Sequence, residues 1–403
     1  MLSKTSQSVH RVTRSRHRKL SLVIASYPRS SQGISSESRR HLLIDVVNKL
    51  SLVSVLVDVI QRPATAEELL ELPEYGTAGP FEVIKLPRLK HTYTTCSTSA
   101  DRCTLKINAW VPRRSTHLDL KRYPLVIITP GFLIGADQYT SYAERLSSWG
   151  YVVVSYDFVQ QALDPTTDID CVNLLEELIE WCRASELLGK ISDSNNIMLV
   201  GHSRGAKIST LAAIRDTRIQ SLFLLDPVDV TVYTPPDRSL YPSATTALSV
   251  ARPIPICIVG GGKGEDCAPR ESNYDLYFKS SRGPTWKTVI DDSGHLQFLD
   301  ARNTTAMGAF CQAGGSADAE VGSLAQNIMV SWAEMTLARR DETGDSVQRI
   351  MKDSQTGAIH VTSQAHRPTI DANIVDEIIS TSPIHAQFQS KNIVTENIHM
   401  NPS

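Results

Sequence analysis

The sequence predicts an α/β fold with a mostly parallel central sheet of about eight strands flanked by helices. Three observations carry the prediction. From about residue 80 onward, short β-branched runs alternate with segments of helical periodicity, the rhythm of a sheet layered by helices. Most of those runs are apolar throughout, as parallel strands buried on both faces are. One junction, IMLVGHSRGAKIST at 197–210, passes from an apolar run through a glycine-flanked serine into helical spacing.

In chain order the expected strands are FEVIKLP (81–87), TLKINAWVP (104–112), YPLVIITPG (123–131), YVVVSYD (151–157), NIMLVGH (196–202), IQSLFLLDP (219–227), IPICIVGGG (254–262) and TWKTVIDD (285–292). Helices are expected between them over 138–150, 168–189, 205–216 and 274–281. In the second of these, Leu174, Leu175, Leu178, Ile179 and Cys182 share one face, which suits packing on a sheet.

The chain has 403 residues, 41% of them hydrophobic, with 41 Lys and Arg against 43 Asp and Glu, so nucleic acid is not the obvious partner. The charge is uneven, however. Residues 1–40 hold nine Lys or Arg, much serine, the single acid Glu37 and the single aromatic Tyr27, a composition that reads as an organellar transit peptide. Residues 41–60 are apolar enough to suggest a membrane span, but Asp45, Lys49 and Asp58 would each cost about 2.5 to 3.5 kcal/mol near a bilayer centre. Leu43, Val46, Val47, Leu50, Val53, Val57 and Ile60 instead form one helical stripe, suited to packing on the main domain or to peripheral membrane contact. The expected organisation is therefore a transit peptide at 1–40, an amphipathic helix and linker at 41–79 and a catalytic domain at 80–338. After it comes a polar tail at 339–403 with Phe388 as its one aromatic and no periodic apolar face, expected to be largely disordered. The seven cysteines contain no CxxC pair, which argues against a zinc site and gives no disulfide framework; Cys96 and Cys103 are spaced to bridge across a turn.

The chemistry centres on Gly201-His202-Ser203-Arg204-Gly205. A tight strand-to-helix turn brings backbone close to neighbouring elements, so a side chain at either glycine would clash, and the serine between them is lifted above the strand ends. A serine hydroxyl is a weak nucleophile until a base takes its proton and an acid orients that base. For such an elbow the chain order is serine, acid, histidine. His295, after the last expected strand, fits the base, whereas His360, His366, His385 and His399 fall in the polar tail and His202 adjoins the serine and should point away from it. Two strand ends offer the acid. Asp226 ends a strongly apolar strand, where a carboxylate is costly without a partner, and it leads over Glu265 and Asp266 in a glycine-rich loop. In IITPGFLIG, Gly131 allows a sharp turn that would let the amide of Phe132 or Leu133 join that of Arg204 as an oxyanion hole. This chemistry needs neither metal nor redox cofactor.

The block YPLVIITPGFLIGADQYTSYAERLSSWGYVVVSYD, the elbow GHSRGAK, and the segments FLLDPVD, CAPRESNYDLYF and DDSGHLQFLD together resemble plant and algal chlorophyllases, over roughly residues 80–338. The resemblance implies an α/β-hydrolase fold and hydrolysis of the phytyl ester of chlorophyll, with Ser203, Asp226 and His295 as nucleophile, acid and base. It also implies a chlorophyll-type pigment as substrate, whose magnesium belongs to the pigment, and a plastid location. Two positions depart from the pattern: Ala206 where glycine often follows the elbow, and Pro130 where HGF is common. The resulting PGF is similar to that of cutinase-like polyester hydrolases and platelet-activating-factor acetylhydrolases, the alternative enzyme class. A non-catalytic pigment carrier on the same fold is the third reading.

Overall fold

β-branched, apolar runs become strands here because helices on both sides supply a dry surface for alternate side chains. The computed structural model of the chain describes residues 75–93, 104–113, 122–158, 166–337, 339–340, 346–347 and 386–391. All of them belong to a unit spanning Pro73–Ser403. The expected transit peptide, the stripe at 43–60, Cys96 and Cys103 lie outside the described residues.

The strands are β1 (Val83–Lys85), β2 (Leu89–Thr92), β3 (Thr104–Pro112), β4 (Tyr123–Thr129), β5 (Val152–Asp157), β6 (Ser192–His202), β7 (Ile219–Leu225), β8 (Ile256–Gly261) and β9 (Thr285–Ile290), then β10 (Arg339–Arg340), β11 (Ser346–Val347) and β12 (Ala386–Lys391). Ten of them form one sheet in the order β1-β3-β5-β4-β6-β7-β8-β9-β12, with β2 also on β3, while β10 and β11 pair separately. Strands β5, β4, β6, β7, β8 and β9 run parallel. Flanking them, β3 is antiparallel to β5 and β12 is antiparallel to β9.

The helices are α1 (Thr140–Ser148), α2 (Asp168–Ala184), α3 (Leu188–Ile191), α4 (Arg204–Arg215), α5 (Ala244–Leu248), α6 (Tyr274–Ser280) and α7 (Asp318–Thr336). Side chains alternate across the sheet into two cores. Leu125, Ile127, Leu199 and Leu224 join residues of α2, α4 and α6 on one face. Val126, Ile128, Val200 and Leu225 join those of α1 and α7 on the other. Strands such as β4 and β8 thus have both faces covered, which is why their sequences show no polar alternation.

Several boundaries differ from the sequence expectation. The helix expected over 168–189 ends at Ala184, and Leu188–Ile191 forms a separate turn leading into β6. Residues 75–79, expected to be linker, pack on α1: the Gly79 amide donates to Ser148 Oγ at 2.9 Å and Tyr75 meets Trp149 edge-on at 5.0 Å. The tail at 339–403 is not wholly unstructured, because Ala386–Lys391 pairs residue for residue with β9, Ala386 opposite Ile290 through Lys391 opposite Thr285. That ladder satisfies backbone groups at the open edge of β9, a gain that composition does not reveal. A disulfide also joins Cys267 to Cys311, where no disulfide framework was expected.

Candidate active site

All the candidate site residues sit at the carboxyl end of the parallel strands, where the sheet hands the chain to its helices. The ladder itself carries them: Ser203 N–H donates to Leu225 O at 3.0 Å and Asp226 N–H donates to Val259 O at 2.7 Å, each one step beyond the end of its strand. At the elbow, a Cβ on Gly201 would lie 2.5 Å from Ala206 Cα, and one on Gly205 would run into the Thr129 and Pro130 carbonyls. Only hydrogen fits at both positions, as the turn requires.

Ser203 is the N-cap residue of α4, yet its side chain makes no cap hydrogen bond. It turns instead to His295, with Oγ 2.9 Å from Nε2. His295 Nδ1 lies 2.6 Å from Asp226 Oδ2, and the other carboxylate oxygen accepts the Gly261 amide at 2.9 Å. A carboxylate can only accept, so Nδ1 carries the imidazole proton and Nε2 is left free to accept from the serine hydroxyl. Asp226 is fully buried and His295 nearly so. The rival acids go elsewhere: Glu265 pairs with Arg270 at 2.7 Å and Asp266 accepts the Gln312 amide at 2.5 Å.

Backbone strain marks the same places. Among the described residues, the non-glycine positions with positive φ are Leu133 at 55°, Ser203 at 56° and Asp226 at 36°. Such conformations persist only where surrounding structure enforces them. Leu133 belongs to the turn that was expected to supply an oxyanion donor. The amide of Gly131 on that loop is taken by Tyr139 Oη at 3.2 Å.

Behind the elbow lies a charge network that sequence reading did not find. Lys207, buried, reaches Asp168 Oδ2 at 2.7 Å and Asp229 Oδ1 at 3.9 Å. Arg204 Nε donates to Asp168 Oδ1 at 2.8 Å, and its guanidinium lies 5.6 Å from the centre of the Phe132 ring. Asp229 in turn accepts the Ala244 and Thr245 amides at 2.8 and 3.2 Å, which holds the start of α5. The network anchors α2, α4 and the segment after Asp226 to one another. Two basic residues just after the serine were the only sequence signal for it. The His202 ring lies 4.8 Å from that of His295.

A mostly parallel sheet with a strained serine at a strand-to-helix elbow, an acid after the next strand and a histidine after the last parallel one defines the α/β-hydrolase class. Within it, a family model described as Chlorophyllase matches residues 115–366, more than half of the chain, and the chain belongs to the chlorophyllase family. Two curated relatives come from Arabidopsis thaliana. Chlorophyllase-2 is 29% identical over 199 residues, 44% of this chain and 61% of the relative. Chlorophyllase-1 is 27% identical over 241 residues, 53% of this chain and 72% of the relative. The match thus spans less than two thirds of the length of the first. Among solved structures, a ferulic acid esterase from Streptomyces cinnamoneus superposes with a TM-score of 0.49 at 16% identity, covering 69% of this chain and 92% of that one.

Proposed function

We propose that the chain is a serine ester hydrolase that cleaves the phytyl ester of chlorophyll or a related phytylated pigment. The observation that carries this is the unbroken line of contacts from Asp226 through His295 to Ser203, in a chain of the chlorophyllase family. Ser203 Oγ attacks the ester carbonyl while His295 Nε2 takes its proton, and Asp226 holds the imidazole and steadies its cationic form. The amides of Arg204 and of Phe132 or Leu133 receive the negative charge that develops on the carbonyl oxygen. His295 returns the proton to the departing phytol. A water deprotonated by His295 then attacks the acyl-serine, releasing chlorophyllide and restoring Ser203.

Product analysis with chlorophyll a, pheophytin a and a short p-nitrophenyl ester side by side tests the reading. Chlorophyllide and phytol are expected from wild-type protein. Ser203→Ala should leave only residual turnover while remaining folded, and Asp226→Asn should cut kcat by roughly 10⁴ because the amide favours the wrong imidazole tautomer. Asp266→Asn should do little. Turnover of the short ester without chlorophyll cleavage would favour the lipid or polyester esterase class, to which Pro130 points. Pigment binding with no product would favour a carrier.

A further inference from the structure

His202 plays no part in the proposed proton transfers, yet it is fully buried against the base. Both of its ring nitrogens are engaged. Nε2 lies 3.0 Å from the backbone carbonyl oxygen of His295, and Nδ1 lies 2.9 Å from Tyr139 Oη. A carbonyl only accepts, so Nε2 carries the proton; Nδ1 of the neutral ring then accepts, and Tyr139 must donate to it. With its hydrogen committed to His202, Tyr139 Oη accepts the Gly131 amide at 3.2 Å. Each link therefore has one permitted direction: Gly131 N–H to Tyr139, Tyr139 O–H to His202, His202 N–H to the His295 carbonyl.

We propose that Tyr139 and His202 are positioning residues, a relay of hydrogen bonds that holds the Gly131-Phe132-Leu133 turn and the His295 backbone in a fixed relation. The inference rests on reading Ser203 and His295 as nucleophile and base. An oxyanion donor and a base act on the same ester from two sides, so a small error in their separation is costly; a displacement of about 1 Å can cost 10²-fold in rate. The relay bridges those two sides beneath the serine, through side chains that water does not reach. Packing reinforces it, since a Cβ on Gly131 would sit 3.1 Å from His202 Nδ1 and 3.3 Å from Ser203 Cβ. A neutral His202 also suits the chemistry. Its ring lies 4.8 Å from an imidazole that becomes cationic during turnover, and a second positive charge there would oppose that step. Burial, with the neighbouring His295 adding to it, holds His202 well below the ordinary histidine range.

The test uses the full chain. Tyr139→Phe removes one hydroxyl and keeps the ring. It is expected to lower kcat at least 10-fold on both chlorophyll a and p-nitrophenyl butyrate, with KM within 3-fold of wild type, because binding is left alone while alignment is lost. His202→Leu should fall similarly, and the double variant should fall no further than either single one. His202→Gln, which offers an amide donor and a carbonyl acceptor, should recover at least 3-fold over His202→Leu. Nitrogen-15 histidine NMR gives a readout that needs no turnover: His202 should remain the neutral Nε2–H tautomer from pH 5 to 8 in wild type and lose that signature in Tyr139→Phe. A Tyr139→Phe kcat within 2-fold of wild type, additive effects in the double variant, or a freely titrating His202 would each overturn the relay. If wild-type protein cleaves neither ester, the hydrolase reading fails, and the NMR signature still decides whether the relay exists.

Discussion

Ser203, Asp226 and Leu133 occupy backbone conformations that L-residues avoid, and they coincide with the proposed nucleophile, acid and oxyanion turn. Each such residue costs about 1 to 3 kcal/mol, sustained by the ladders and packing around it. His202 adds a pH-dependent term whose sign can be worked out. Its proton affinity is depressed in the folded protein by burial, whereas the unfolded chain binds a proton near the ordinary value of about 6.5. The unfolded state therefore holds more protons below that pH, and stability is full above it and falls as pH drops, by about 1.4 kcal/mol per pH unit for this one group. Urea denaturation from pH 7.5 to 5 should show the fall, and His202→Gln should flatten it; an equal slope in both proteins would assign the loss to other groups. The sequence singled out Ser203 and His295 through spacing and chain order, and put Asp226 ahead of Glu265 and Asp266. In the structure Asp226 meets His295, while Glu265 pairs with Arg270 and Asp266 accepts the Gln312 amide. The role proposed for His202 was not legible, because a residue beside the proposed nucleophile reads as pointing away, and only the fold shows its partners, Tyr139 and the His295 carbonyl.

Among the elements, every apolar strand run was legible, since continuous β-branched stretches between turn residues have few other uses. The polar pieces were not. In β2 the pattern LKHT carries a single aliphatic residue, and β12 pairs by backbone at the sheet's edge. The bond between Cys267 and Cys311 was equally hidden, as the two residues are 44 apart and share no motif. It closes a loop containing His295. On a chain-entropy reckoning such a crosslink stabilises by about 4 kcal/mol, so Cys311→Ser should lower the urea midpoint markedly while the mutant remains active at 25 °C. An unchanged midpoint would show that the loop is held without it. Among the described residues, exchange with the other thiols is disfavoured, because Cys171, Cys182 and Cys257 are buried, and burial pushes the Cys171 and Cys182 thiols up to about 12.

For the whole molecule, nine basic residues and abundant serine in the first forty, together with the proposed pigment substrate, lead to a proposed plastid destination. Residues 1–80 fused to a fluorescent reporter should enter plastids, and cytosolic or secreted fluorescence would reject import. A plastid signal that stays wholly soluble on fractionation would reject only membrane contact by the 43–60 stripe. The other end of the chain has a consequence of its own. Of all the strands in the large sheet, β12 leaves the ribosome last, long after Ser203, Asp226 and His295 have been made. Between the emergence of His295 and that of β12, then, the nascent chain can bring the proposed reacting residues together while β9 still presents an unpaired border. That is the interval in which a neighbouring nascent chain on the same message could join it in place of its own β12.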